Sequence, residues 1–138
     1  NDLLILPGGT TWNEDINQPI LKMTEQVLQQ GTIVAAICGA TDALANMGYL
    51  DAKKHTTNNL QYTKMACPNY QGENFYVEQP AIADVNLVTA SGIAPLEFAA
   101  EVLKKLDVFA PDTLNAWYNL NKTHQPEYFF QLMNSMNS

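Results

Sequence analysis

Of the two cysteines, Cys38 and Cys67, only Cys38 stands where a nucleophile can be presented to a substrate. It lies in Gly-Thr-Ile-Val-Ala-Ala-Ile-Cys-Gly-Ala-Thr-Asp-Ala-Leu-Ala-Asn-Met-Gly, residues 31–48. Ile33 to Ile37 is a short apolar, partly β-branched run, the pattern of a strand buried on both faces. Ala40, Ala43, Leu44 and Met47 then recur at helical spacing, and Gly48 supplies a C-terminal stop. Ala36 and Ala40 flank Cys38 at two residues on either side. A strand that turns at once into a helix over small residues is the layout of a nucleophile elbow, which lifts one side chain over the sheet edge. A helix N-terminus beneath the sulfur favours thiolate over thiol. A free cysteine is also an ordinary small core residue. The small flanks and the immediate switch of periodicity argue against that reading at Cys38; Cys67, which precedes Pro68 in a polar stretch and has no elbow layout, is read as structural or at most a bystander thiol.

A thiol nucleophile needs a base or an electropositive setting, and an amide hydrolase needs a proton donor for its leaving amine. The chain has two histidines, His55 and His124. His55 opens His-Thr-Thr-Asn, whose Thr-Thr pair suggests a short strand ending at the cleft edge. It is the candidate base, with a strand-edge histidine as the competing reading. His124 lies in a polar loop before a helix. Thr41, Asn58 and Ser91 are candidate ligand contacts, none of them a base near neutral pH; Ser91 could equally be a helix cap. Asp42 suits the N-terminus of its own helix better than the thiol. Two histidines and two cysteines at wide spacing lack the close pairs of a structural zinc site, so no metal is expected, and no phosphate-binding glycine fingerprint or other cofactor signature is present.

The elements that would position these groups read as alternating strands and helices. Leu3 to Leu6 is a strand ended by Pro7-Gly8-Gly9. Residues 17–30 form an amphipathic helix with Pro19 in its first turn, Ile20, Met23 and Val27 on one face, and Gly31 at its end. The resulting βαβ unit makes the first two strands parallel, so Gly8 and Gly9 fall beside Cys38 beyond the carboxyl ends of the strands. A short helix is expected over 59–65 and a loop over 67–72. Phe75–Val77 and Ala81–Ala83 read as a hairpin-like excursion, and Asn86–Thr89 as a strand rejoining the main sheet. Pro95 opens a helix with Leu96, Ala99/Ala100, Leu103 and Leu106 inward. Two further helices follow, striped by Leu114, Trp117 and Tyr118, then by Phe129, Leu132, Met133 and Met136; these stripes are assigned to packing, with a share left for a dimer interface.

At 138 residues, 46% of them hydrophobic, the chain suits one domain with a core that needs no staples. A net charge of −7 with seven basic residues argues against nucleic acid. No apolar run approaches the ~18 residues of a membrane span, and no signal peptide is evident. Two cysteines without a disulfide framework suit a reducing cytoplasm.

The segment "VAAICGATDALANMGYLD" (34–51) resembles the elbow of the ThiJ/PfpI family, within the class I glutamine amidotransferase-like superfamily. "LLILPGG" (3–9), "NLVTASGIAPLEFAAEVLKKLDV" (86–108) and "AWYNLNKTHQPEYFFQLM" (116–133) fit the same family, in its glutamine amidotransferase-like and intracellular-protease subset. The resemblance implies an α/β, flavodoxin-like sandwich with a mostly parallel sheet. It implies an oxyanion hole from the Gly8-Gly9 turn and the Gly39 amide, and a homodimer. It also implies a strand–helix–strand section ahead of Leu3, contributing a central strand and an acid facing the cysteine. That section is not within residues 1–138, so the chain is expected to be the C-terminal part of a longer one. Proteolytic members carry histidine after the cysteine, where this chain has Gly39; others carry it after the Thr-Thr element, where this chain has Asn58. The expected function is a cysteine-centred amidase or peptidase acting on C–N bonds of a small molecule or peptide, with Cys38 as nucleophile. The alternative is a non-hydrolytic stress or redox protein, or a glyoxalase- or deglycase-like one, using Cys38 as a reactive thiolate.

Overall fold

The computed structural model describes residues 2–137. Four strands, β1 (Leu3–Leu6), β2 (Ile33–Ile37), β3 (Ala81–Asp84) and β4 (Leu87–Ala90), form one sheet in the order β1-β2-β4-β3. The first three in that order are parallel, and β3 runs antiparallel to β4 at the edge. Six helices surround it: α1 (Gln18–Gln29), α2 (Gly39–Asn46), α3 (Leu60–Ala66), α4 (Pro95–Leu106), α5 (Pro111–Thr123) and α6 (Pro126–Met136). The alternating strands and helices read from the sequence are present, in the flavodoxin-like α/β arrangement that the family resemblance implies.

The sheet is buried on both faces, which is why Val34, Ala35, Ala36, Leu87 and Val88 are all inaccessible and read as an unbroken apolar run. One face packs Leu6, Val34 and Ala36 against Leu21 of α1 and Ala40, Ala43 and Leu44 of α2. The other packs Ala35 and Val88 against Val102, Phe98 and Leu106 of α4. The inward stripe of α4 is therefore Phe98-Val102-Leu106, and only Leu106 belongs to the row expected from sequence. The cause is that α4 touches the sheet on one side and α5 on the other. Such a helix carries two apolar rows, and periodicity alone does not say which meets the sheet.

The hairpin also differs from expectation. Residues 73–75 form a 3-10 turn, and Tyr76 makes only a single parallel bridge to His55. The partner of β3 is β4, across a tight turn at Val85-Asn86 that has no glycine. Tertiary contacts hold it: the buried Asn86 side chain donates to the carbonyls of Leu28 and Thr32, at 3.0 and 2.8 Å. Val85 takes a positive φ of 52° to close the turn. On α6, Leu132 and Met133 are half-buried, whereas Phe129 and Met136 are exposed, so only half of that stripe packs. No helix among the described residues is long and apolar enough to cross a membrane.

Candidate active site

Because β1, β2 and β4 are parallel and in register, with Leu6 opposite Ala36 and Ile37 opposite Ala90, their carboxyl ends open at one sheet edge. The loops that leave there are Pro7-Gly8-Gly9, Cys38 and Ser91-Gly92. The segment entering β3 joins them, since the Ser91 amide donates to the Pro80 carbonyl at 3.0 Å. Such an edge is where open α/β sheets place their ligands.

Cys38 makes the turn from β2 into α2 with φ 61° and ψ −130°, a conformation L-residues avoid. Holding a non-glycine residue there costs about 1–3 kcal/mol, and such strain concentrates at functional positions. Only glycines fit around it. A Cβ at Gly92 would lie 2.9 Å from the Cys38 sulfur, and one at Gly8 would lie 3.0 Å from Cys38 Cβ. A Cβ at Gly39 would overlap the carbonyl oxygen of Gly9, so the loop after β1 rests directly on the start of α2. Trp12 pins that loop from outside by donating its indole N–H to the Pro7 carbonyl at 2.8 Å.

Asn58 completes the surround. Its Nδ2 donates to Cys38 Sγ at 3.5 Å, while its Oδ1 accepts the Gly92 amide at 2.7 Å. It reaches there because the Thr56 amide donates to Thr89 Oγ1 of β4 at 3.0 Å, tying the segment to the sheet without a strand of its own. A cleft of about 410 Å³ opens from Asn58 and Ser91 and is walled by Thr57, Glu78, Glu97 and Lys122. Cys38 itself is not part of its wall; Asn58 joins the two. Glu97 accepts from Tyr118 at 3.2 Å and pairs with Lys122 at 3.5 Å, so α4 and α5 meet along the cleft.

Two residues named from sequence lie elsewhere. His55 is not a base for Cys38. It is fully buried, with Nδ1 2.6 Å from the Lys53 carbonyl and Nε2 2.7 Å from the Tyr70 hydroxyl. A carbonyl only accepts, so Nδ1 carries a proton; in the neutral imidazole that burial favours, Nε2 accepts the Tyr70 hydrogen and both nitrogens are occupied. Burial lowers its pKa, with the Lys53 hydrogen bond and the Asp51 charge opposing. Tyr70 and Tyr76 close edge-on around the ring. Thr41 is likewise no ligand contact: it is inaccessible, and its hydroxyl donates to the Cys38 carbonyl at 2.6 Å, clamping the first turn of α2. Ser91 does wall the cleft, and His124 is an exposed residue ending α5 in a left-handed conformation.

Behind the site, Cys67 is the structural cysteine read from the sequence and Asp42 the first-turn acid, but their mutual contacts leave no local signal. Asp42 faces Thr63 of α3, which donates to its Oδ1 at 2.7 Å. Burial raises the Asp42 pKa, and that hydrogen bond works against the rise. Cys67 is buried, its thiol donating to the Asp42 main-chain oxygen at 3.3 Å, and burial with the nearby Asp42 charge pushes its pKa up to about 11. Glu97 and Lys122 are exposed-type residues on separate helices, and nothing in their spacing marks them. Among the described residues no group of three or more histidine, cysteine, aspartate or glutamate side chains could hold a metal ion.

The model of the DJ-1/PfpI family matches residues 1–105, the part of the chain that holds Cys38 and its glycine turns. The chain belongs to that family. A thiJ/pfpI family protein from Bacillus anthracis shares its fold with a TM-score of 0.97 at 76% identity, over 99% of this chain and 65% of that one. The Bacillus subtilis protein named uncharacterized protease YoaZ is 69% identical over 136 residues, covering 99% of this chain. A DJ-1 superfamily protein from Agrobacterium tumefaciens has a TM-score of 0.77 at 35% identity, over 90% of this chain and 66% of its own. This DJ-1/PfpI chain spans 65% of the length of YoaZ.

Proposed function

We propose that this chain carries the nucleophile of a cysteine hydrolase of amidotransferase type, acting on a C–N bond of a small amide or a peptide. The observation that carries the reading is Cys38 at φ 61° between glycine-lined turns, with its sulfur held by Asn58. The sulfur would attack the carbonyl carbon. The C–S bond forms, the carbonyl oxygen becomes an oxyanion facing the amides of Gly9 and Gly39, and the C–N bond then breaks as the amine leaves with the proton that the thiol gave up. Water cleaves the thioester and returns the thiol. Names such as uncharacterized protease YoaZ, borne by a relative of high identity, support the same reaction class. The acid facing Cys38 is assigned to a segment outside residues 1–138, and pairing of two copies in a reducing cytoplasm is part of the same proposal.

A second reading has one observation in its favour. Both nitrogens of His55 are engaged away from Cys38, and the sulfur's polar partner is an amide, not a base. A thiolate adding to a small dicarbonyl, or taking oxidation, needs no histidine. Both are tested on intact protein by mass spectrometry after incubation with p-nitrophenyl acetate and a panel of glutamine-containing peptides, beside parallel samples with methylglyoxal or peroxide. An acyl adduct on Cys38 that turns over, absent from Cys38→Ala, is the expected result. Adducts with the electrophile or oxidant alone transfer the function to the second reading.

A further inference from the structure

We propose that Thr57 and Thr63, anchored on the carboxylate of Asp42, are positioning residues for Cys38, acting through their hydroxyls on the side chain of Asn58. The inference rests on Cys38 being the reactive thiol and adds what holds its polar partner in place.

Asp42 sits one turn after Cys38 on α2 and is only 5% exposed. A carboxylate in such a place needs a hydrogen-bond donor. Thr63, itself inaccessible, supplies one at 2.7 Å, and its oxygen lies 2.7 Å from the hydroxyl of buried Thr57. Each threonine has one hydrogen to give. Against a carboxylate, which only accepts, Thr63 donates to Asp42, and Thr57 therefore donates to Thr63. The chain has one direction, from Thr57 through Thr63 to Asp42.

The next residue after Thr57 is Asn58, whose two side-chain atoms meet the Gly92 amide and the Cys38 sulfur. The contacts thus close a ring: Cys38, one turn of α2, Asp42, Thr63, Thr57, Asn58, and back to the sulfur. The ring joins the start of α2 to residues 57–63, about twenty positions further along the chain. Residues 56–58 belong to no strand, and Asn58 is exposed, so its aim at the sulfur rests on the Gly92 amide at its Oδ1 and on what holds its backbone from behind. The hydroxyl of Thr57 is fixed there, one residue away.

Thr63→Val also removes the contact of the Thr63 hydroxyl with the Asn59 carbonyl at 3.1 Å, in the first turn of α3. That helix has its own cap, with Asn59 Oδ1 accepting the Tyr62 amide at 2.9 Å, and the Thr63 main chain bonds to the Asn59 carbonyl at 3.0 Å irrespective of its side chain. Thr57→Val is milder still, since it leaves Asp42 its Thr63 donor.

The test is the second-order rate of iodoacetamide alkylation at Cys38 of the intact protein at one pH, read by peptide mass spectrometry, with urea midpoints as the check on folding. Thr57→Val and Thr63→Val should each slow alkylation about 3- to 10-fold, the loss of one ordering hydrogen bond, and Thr63→Ser should restore it. In an Asn58→Ala background, Thr57→Val should cost nothing further, because both act on the same contact. If Thr63→Val does not fold, Thr57→Val alone decides. Unchanged rates in a folded Thr57→Val protein, or losses from Thr57→Val and Asn58→Ala that multiply, would overturn the proposal. If wild-type Cys38 reacts no faster than glutathione, the reading of Cys38 as the reactive thiol fails first and this inference falls with it.

Discussion

The two cysteines of this chain lie on either side of the same short helix and are treated in opposite ways. Cys38 stands at the head of α2, half-buried, with a strained backbone and an amide donor at its sulfur. Cys67 is sealed behind α2, its thiol spent as a donor to the main-chain oxygen of Asp42 and its pKa raised to about 11. Residue type is therefore uninformative about reactivity here. What differs is the surround: glycines and an open sheet edge at Cys38, and at Cys67 the packed core, with Asp42, Thr63 and Tyr70 as its polar neighbours.

The largest change should come from adding one methyl group on the Cys38 side. Gly39→Ala drives a Cβ into the Gly9 carbonyl, which backbone on both sides keeps from yielding; a loss of about 3 kcal/mol or more in urea unfolding is expected. Gly92→Ala is the subtler break. Its Cβ would press the sulfur at 2.9 Å and the Asn58 carbonyl oxygen at 3.2 Å, so alkylation at Cys38 should fall by about tenfold or more while Cys67 stays protected and the fold persists. An unchanged Cys38 rate in that variant would mean the glycine niche does not control access.

The buried side is sharpened by pH. His55 is held neutral with its pKa below the ordinary value near 6.5, burial being the main cause. Above that value both folded and unfolded chains carry it neutral, and it adds no slope. Below it the unfolded chain binds a proton that the folded chain refuses, so stability should drop by up to about 1.4 kcal/mol per pH unit until the folded pKa is passed. Urea midpoints at pH 7.5 and 5.5 should show this loss, and His55→Gln should flatten it. The smallest effect lies far from both thiols. Val85→Asn relieves a positive φ on an exposed β-branched residue and should add about 1 kcal/mol without changing alkylation of either cysteine.

What was legible in the sequence is what local pattern determines. Ile33 to Ile37 between Gly31 and a run of alanines specifies a buried strand meeting a helix, and the βαβ order places Gly8, Gly9 and Cys38 at one edge. The groups that pattern missed are set by long-range contacts. His55 looks exposed beside Lys53, Lys54 and two threonines, yet Tyr70 and Tyr76 enclose it from fifteen and more residues away. Asp42 is the first-turn acid that the pattern suggests, but its buried Thr63 donor on α3 is not visible there. Val85-Asn86 has no turn glycine, and the turn forms because Asn86 is anchored to the loop after α1. Side-chain hydrogen bonds between segments carry no periodicity, so they leave no trace in a single sequence.

The central claim is that Cys38 is the reactive centre and Cys67 is not. A brief iodoacetamide pulse on the intact native protein at pH 7.5, followed by peptide mass spectrometry, tests it directly. Cys38 should be modified at least about 100-fold faster than Cys67, whose raised pKa leaves almost no thiolate at that pH. Equal labelling of the two thiols, or faster labelling of Cys67, would contradict it.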